Sequence, residues 1–136
     1  MQRKAPARST LVPGVKDLRV YQLAYETAME DFRGTRTFPQ EERYSLTSQI
    51  RRSSRSVAAN IAEGYRKRQY PTMFSSKLAD ADAEATETRV WLGFAQDCGY
   101  LPADAHRQLT AAYDEIGKNA VCDDSRSREV RATVDE

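Results

Sequence analysis

Apolar residues recur three and four apart along most of this chain, the spacing of helices with one buried face, and no stretch alternates as a strand would. Leu18, Tyr21, Tyr25, Ala28 and Phe32 mark a first helix that starts at Val15 and ends at Gly34. A second runs from about Glu42 to Arg66 on Leu46, Ile50, Val57 and Ile61. Pro39 suits its first turn, where a missing amide hydrogen costs nothing, and Glu41 and Glu42 complement the positive helix end. Gly64 and the cations Arg66, Lys67 and Arg68 mark its close. Pro71 opens a third helix with the seam Phe74, Leu78, Ala81, Ala85, Thr88, Leu92 and Ala95, closed by Gly99. Pro102 opens a fourth, whose apolar face is Leu109, Ala112, Tyr113 and Ile116. Four such helices with short connections predict an all-α, antiparallel up-down four-helix bundle over residues 15–122. Residues 1–14 read as a flexible basic tail and residues 123–136 as a charged tail, because neither carries an apolar period.

The second helix carries more than a core face. At about 100° per residue, Leu46, Ile50, Ser53, Val57, Ile61 and Gly64 share one sector. Gln49, Ser56, Asn60 and Glu63 fill the flank beside it, while Arg51, Arg55, Ala59 and Arg66 lie opposite. Polar groups on a flank need partners, since an unsatisfied buried one costs about 1–3 kcal/mol. The small residues interspersed here, among them Ser53, Ser54, Ala58 and Ala62, allow another backbone to approach closely. The flank Gln49, Ser56, Asn60 and Glu63 is therefore a candidate subunit interface, or else a set of groups satisfied within one bundle. Arg51, Arg52, Arg55, Arg66, Lys67 and Arg68 form a candidate phosphate-binding surface.

Charge sharpens that picture. The net charge is only +1, but residues 43–68 hold seven basic side chains against one acid, and residues 71–97 hold five acids against two basic groups. A basic helix followed by an acidic one either neutralises it side by side or leaves a basic recognition surface free.

Other chemistry is sparse. His106, the sole histidine, has no flanking nucleophile, and no phosphate-cradling glycine loop is present. Cys98 and Cys122 make no metal-ligand spacing and read as reduced thiols. Asp80, Glu84 and Glu87 share a face, yet a metal site in a bundle would add a Glu-x-x-His motif. Trp91, Phe94 and Tyr100 read as core. These observations predict a non-enzymatic protein with no cofactor or metal. With neither a membrane-length apolar run nor a secretory h-region, the expected compartment is the cytoplasm.

Several short motifs occur in order: Leu18-x-Val20-Tyr21-Gln22-x-Ala24, Phe38-Pro39-x-Glu41-Glu42-x-Tyr44-x-Leu46, Gln49-Ile50-Arg51-Arg52-Ser53, Ser56-Val57, Asn60-Ile61-Ala62-Glu63-Gly64, Glu87 and Gly99-Tyr100-Leu101. With them the chain resembles, over roughly residues 15–120, the small four-helix-bundle proteins encoded in intervening sequences of bacterial large-subunit ribosomal RNA genes. One departure is Ala83-Glu84, where that family usually has Gly-Ser. The resemblance implies a homopentameric ring. It also implies kinship with the accessory protein of diversity-generating retroelements, a basic pentamer that works with a reverse transcriptase and nucleic acid. Two expectations follow. One is a ring-forming nucleic-acid or ribonucleoprotein accessory, with RNA or DNA and a reverse transcriptase or other protein as partners. The other is a structural or protein-binding homo-oligomer in which the acidic third helix neutralises the basic second.

Overall fold

The computed structural model describes the backbone of residues 18–134 and the side chains of residues 18–120. The basic tail expected over residues 1–14 and the Cys122 side chain lie outside the described residues. Four helices follow in order: α1 (Arg19–Thr35), α2 (Leu46–Arg66), α3 (Pro71–Asp97) and α4 (Ala103–Val134), with one turn of 3-10 helix at Gln40–Glu42. Each packs against its two neighbours, α1 on α2, α2 on α3, α3 on α4 and α4 back on α1, and no strand occurs among the described residues. This is the all-α bundle that the three-and-four spacing predicts.

Local chemistry sets the ends. Pro71 occupies the first turn of α3. At the other end of α3, Gly99 adopts a φ of 79°, open to glycine without strain. There the Gly99 and Tyr100 amides donate to the Gln96 and Ala95 carbonyls at 2.9 Å each, a closing pattern that satisfies the last turn. The second helix starts later than its pattern suggests. Pro39 leads into the 3-10 turn, and α2 begins only at Leu46. The interruption is at Ser45, whose hydroxyl donates to Glu42 Oε1 at 2.5 Å and whose backbone is not helical; serine bonded to its own neighbourhood competes with helix continuation. α4 continues to Val134, past Asp123, where a charged tail is expected. Alanine, arginine and glutamate in that segment are adequate helix formers without an apolar face.

The interior is built by Ile50, Val57, Ile61, Ala81, Ala85, Leu92, Ala95, Tyr113 and Ile116, all at most 2% exposed. Each large aliphatic member contributes about 1.5–3 kcal/mol by leaving water. Gly64 brings α2 close to α3: a Cβ there would sit 3.1 Å from the Cβ of Lys77. Threaded through this core is a polar series, with Thr27, Asp31 and Thr35 on α1, Ser53 and Ser54 on α2 and Thr88 on α3, all buried. Thr88 donates to Ser53 Oγ at 2.8 Å across the α2–α3 seam.

The buried face of α1 differs from its apolar stripe. Val20, Tyr21, Ala24, Thr27, Ala28, Asp31 and Thr35 point inward, while Tyr25 and Phe32 are only half-buried. A buried aspartate is the reason. Asp31 accepts a hydrogen bond from the Tyr113 hydroxyl of α4, which fixes the rotation of α1 and turns Phe32 towards α2.

Candidate nucleic-acid interface

Four arginines gather where the end of α1 meets the start of α2. Arg51 donates from Nε to Thr35 Oγ1 at 2.9 Å. Its guanidinium lies 4.8 Å from the Phe32 ring centroid, with Arg55 at 6.0 Å and Arg36 at 5.9 Å from the same ring. Arg43 sits 5.3 Å from the centroid of Tyr44, whose side is 85% exposed. Cation–ring contacts hold the guanidiniums in place without neutralising them. None of Arg36, Arg43, Arg51 and Arg55 has a carboxylate within ion-pair distance among the described residues. Arg43, Tyr44, Ser48, Arg51, Arg52 and Arg55 line an open cleft of about 540 Å³.

Arg52 lines the same cleft but is paired to α3. Its guanidinium meets Glu87 Oε1 at 2.6 Å and Glu84 Oε2 at 3.5 Å, and its Nε donates to Gln49 at 3.4 Å. The hydrogen bond from Arg52 holds the Glu87 carboxyl below its ordinary range, while burial and the neighbouring Glu87 raise that of Glu84. Glu84 thus supplies half of an acidic clamp on Arg52. Trp91 donates to the same Glu87 oxygen at 3.2 Å.

The remaining cations stand apart. Arg66 and Lys67 are exposed at the far end of α2, and Arg55 to Arg66 spans about 16 Å of helix axis. Arg68 folds back, donating to the Tyr65 carbonyl at 2.9 Å with its guanidinium 4.1 Å from the Tyr65 centroid. Of the six predicted phosphate ligands, the structure brings Arg51 and Arg55 together, assigns Arg52 to α3 and leaves Arg66, Lys67 and Arg68 as a second patch.

Arg36, Arg43, Phe32 and Tyr44 join the cluster without having been singled out in the sequence. The arginines lie in the α1–α2 connection, where periodicity assigns no face; the Phe38-Pro39 to Tyr44 motif was the only pointer.

The polar flank of α2 is satisfied within the single chain. Asn60 donates to the Ser56 carbonyl at 2.9 Å and to its hydroxyl at 3.1 Å, Glu63 pairs with Lys77 at 2.8 Å, and Gln49 accepts from Arg52. No partner subunit is required to satisfy these groups. The outer side of α3 is different. Phe94, read as core, is 56% exposed and Val90 is 52% exposed, beside the half-buried Trp91. Tyr100 does pack inward, its ring centroid 5.5 Å from that of Phe38.

Among the described residues, no group of three or more His, Cys, Asp or Glu is placed to hold a metal ion, and no helix is long and apolar enough to cross a membrane. Fold and surface together define a small helical-bundle protein with an arginine face on its first two helices. The chain belongs to the 23S rRNA-intervening sequence protein family, whose model matches residues 16–121. It is also similar to the crystal structure of a protein of unknown function from the S23 ribosomal protein family of Bacteroides thetaiotaomicron. The two are 25% identical with a TM-score of 0.68, and the match covers 76% of this chain and 95% of that one. No curated protein matches the chain.

Proposed function

We propose that this protein is a cytoplasmic, non-enzymatic accessory that self-associates and holds nucleic acid by its phosphates. The observation carrying this reading is the group Arg36, Arg43, Arg51 and Arg55, clustered and without carboxylate partners among the described residues. Such a group repels itself until an anion arrives, and arginine suits phosphate through its planar fork of donors. One protomer offers few cations, with Arg66, Lys67 and Arg68 as an auxiliary patch; a homopentameric ring repeats the face and gains avidity without new contacts. The exposed Val90 and Phe94 on α3 support self-association, because apolar surface on both sides of a helix suits packing on both sides. A reverse transcriptase, or another protein acting on the same nucleic acid, is the kind of partner this accessory would serve. The clamp of Glu84 and Glu87 on Arg52 favours a second reading, a structural or protein-binding homo-oligomer without nucleic-acid affinity.

Gel shifts with structured RNA across a salt series separate the two. Binding is expected to be largely sequence-independent and to weaken steeply with salt, as counterion release requires. Arg51→Glu with Arg55→Glu is expected to weaken it at least tenfold while light scattering reports an unchanged particle mass. Wild-type protein that binds neither RNA nor DNA at low salt leaves the structural-oligomer reading. A strict monomer at tens of micromolar removes the ring from both.

A further inference from the structure

Tyr44 is out of keeping with a surface that merely neutralises phosphate. It is 85% exposed, far more than any other large apolar or aromatic side chain among the described residues. It stands at the rim of the cleft formed with Arg43, Ser48, Arg51 and Arg55. Leaving a phenol ring in water forgoes the burial that normally retains one. Arg43 approaches one side of the ring, so the position combines an aromatic face with a guanidinium. Arg51, on the cleft wall, is anchored by Thr35 and by the Phe32 ring and so costs little further ordering on binding. The cleft is open to solvent, with about 540 Å³ of space along these side chains.

We propose that this cleft is a subsite for one unpaired nucleotide of a single strand, with its phosphate against Arg51 and Arg55 and its base stacked on Tyr44. The proposal rests on the nucleic-acid reading above and makes it narrower. Phosphate neutralisation alone treats a duplex and a single strand according to charge. A stacking platform is open only to a base outside a helix, and stacking tolerates any base because each has a π-face. Arg43, over one face of Tyr44, would steady the ring and leave its other face to the base.

Fluorescence anisotropy with the full chain tests this using three 20-nucleotide probes: an unstructured RNA, the same strand in a duplex, and an abasic strand of equal phosphate count. An unstructured DNA strand serves as a fourth probe, showing whether the ribose hydroxyl matters. Wild type is expected to bind the unstructured RNA about tenfold more tightly than the abasic strand. Tyr44→Ala should lose that advantage while its affinities for the duplex and abasic strand stay as in wild type, and Tyr44→Phe should keep it. Equal wild-type affinity for the normal and abasic strands overturns the stacking subsite while leaving phosphate binding in place. So does a Tyr44→Ala variant that retains the full preference. Absence of binding to every probe overturns the nucleic-acid reading itself. Circular dichroism of each variant confirms that the helices persist.

Discussion

Asp31 is a carboxyl placed where ionisation is costly. It is 1% exposed, and its Oδ1 finds no hydrogen-bond partner among the described residues. Burial raises its pKa from 3.8 to about 8, with the Tyr113 hydrogen bond offsetting part of the rise. Burial likewise pushes the Tyr113 phenol well above its ordinary value, and the Asp31 carboxyl pushes it further. The folded protein therefore holds a proton on Asp31 between about pH 4 and pH 8 that the unfolded chain has released. Stability from this source is full below about pH 4 and declines as pH rises through 8, by at most about 1.4 kcal/mol per pH unit. Asp31→Asn keeps an acceptor for Tyr113 but has no proton to lose. Denaturant midpoints between pH 5 and pH 9 are expected to fall for wild type and to stay comparatively flat for the variant. Parallel slopes would show that Asp31 does not govern the dependence.

At the scale of elements, α3 was the most legible. Leu78, Ala81, Ala85, Thr88, Leu92 and Ala95, six of the seven residues its spacing selects, are all buried, and Pro71 and Gly99 mark its ends as expected. α2 and α4 likewise bury their predicted seams. α1 was less legible because its rotation is decided by a carboxyl rather than by its largest apolar side chains. A polar residue on a helix gives no sign that a tyrosine 82 positions away will accept it into the core. The start of α2 was misplaced for a related reason: a local bond between Ser45 and Glu42 outweighs a continuous helical pattern. At the candidate site, Arg51 and Arg55 were legible as one face. The diversion of Arg52 was foreseeable only as one of two outcomes, since pairing across α2 and α3 depends on which acids the packing brings near. Arg36 and Arg43 come from a connection whose path no periodicity describes.

At the scale of the whole molecule, the bundle closes when α1 meets α4, and the bond between Asp31 and Tyr113 spans that closure. The α1–α2, α2–α3 and α3–α4 pairs join neighbours along the chain. The α1–α4 seam must instead bring together segments 82 residues apart, and its loop-closure entropy is offset only once the intervening helices have aligned. The latch therefore belongs late in assembly, after the rate-limiting barrier. Tyr113→Phe, which strands the Asp31 carboxyl at a cost of about 1–3 kcal/mol, should speed unfolding and leave the refolding rate nearly unchanged in stopped-flow chevrons. A refolding limb slowed in proportion to the lost stability would instead place the latch inside the nucleus. A late latch makes the first helix the part most readily shed: the element carrying Phe32, on which the arginine face is mounted, is held by a contact that governs how long the native state lasts rather than how quickly it forms.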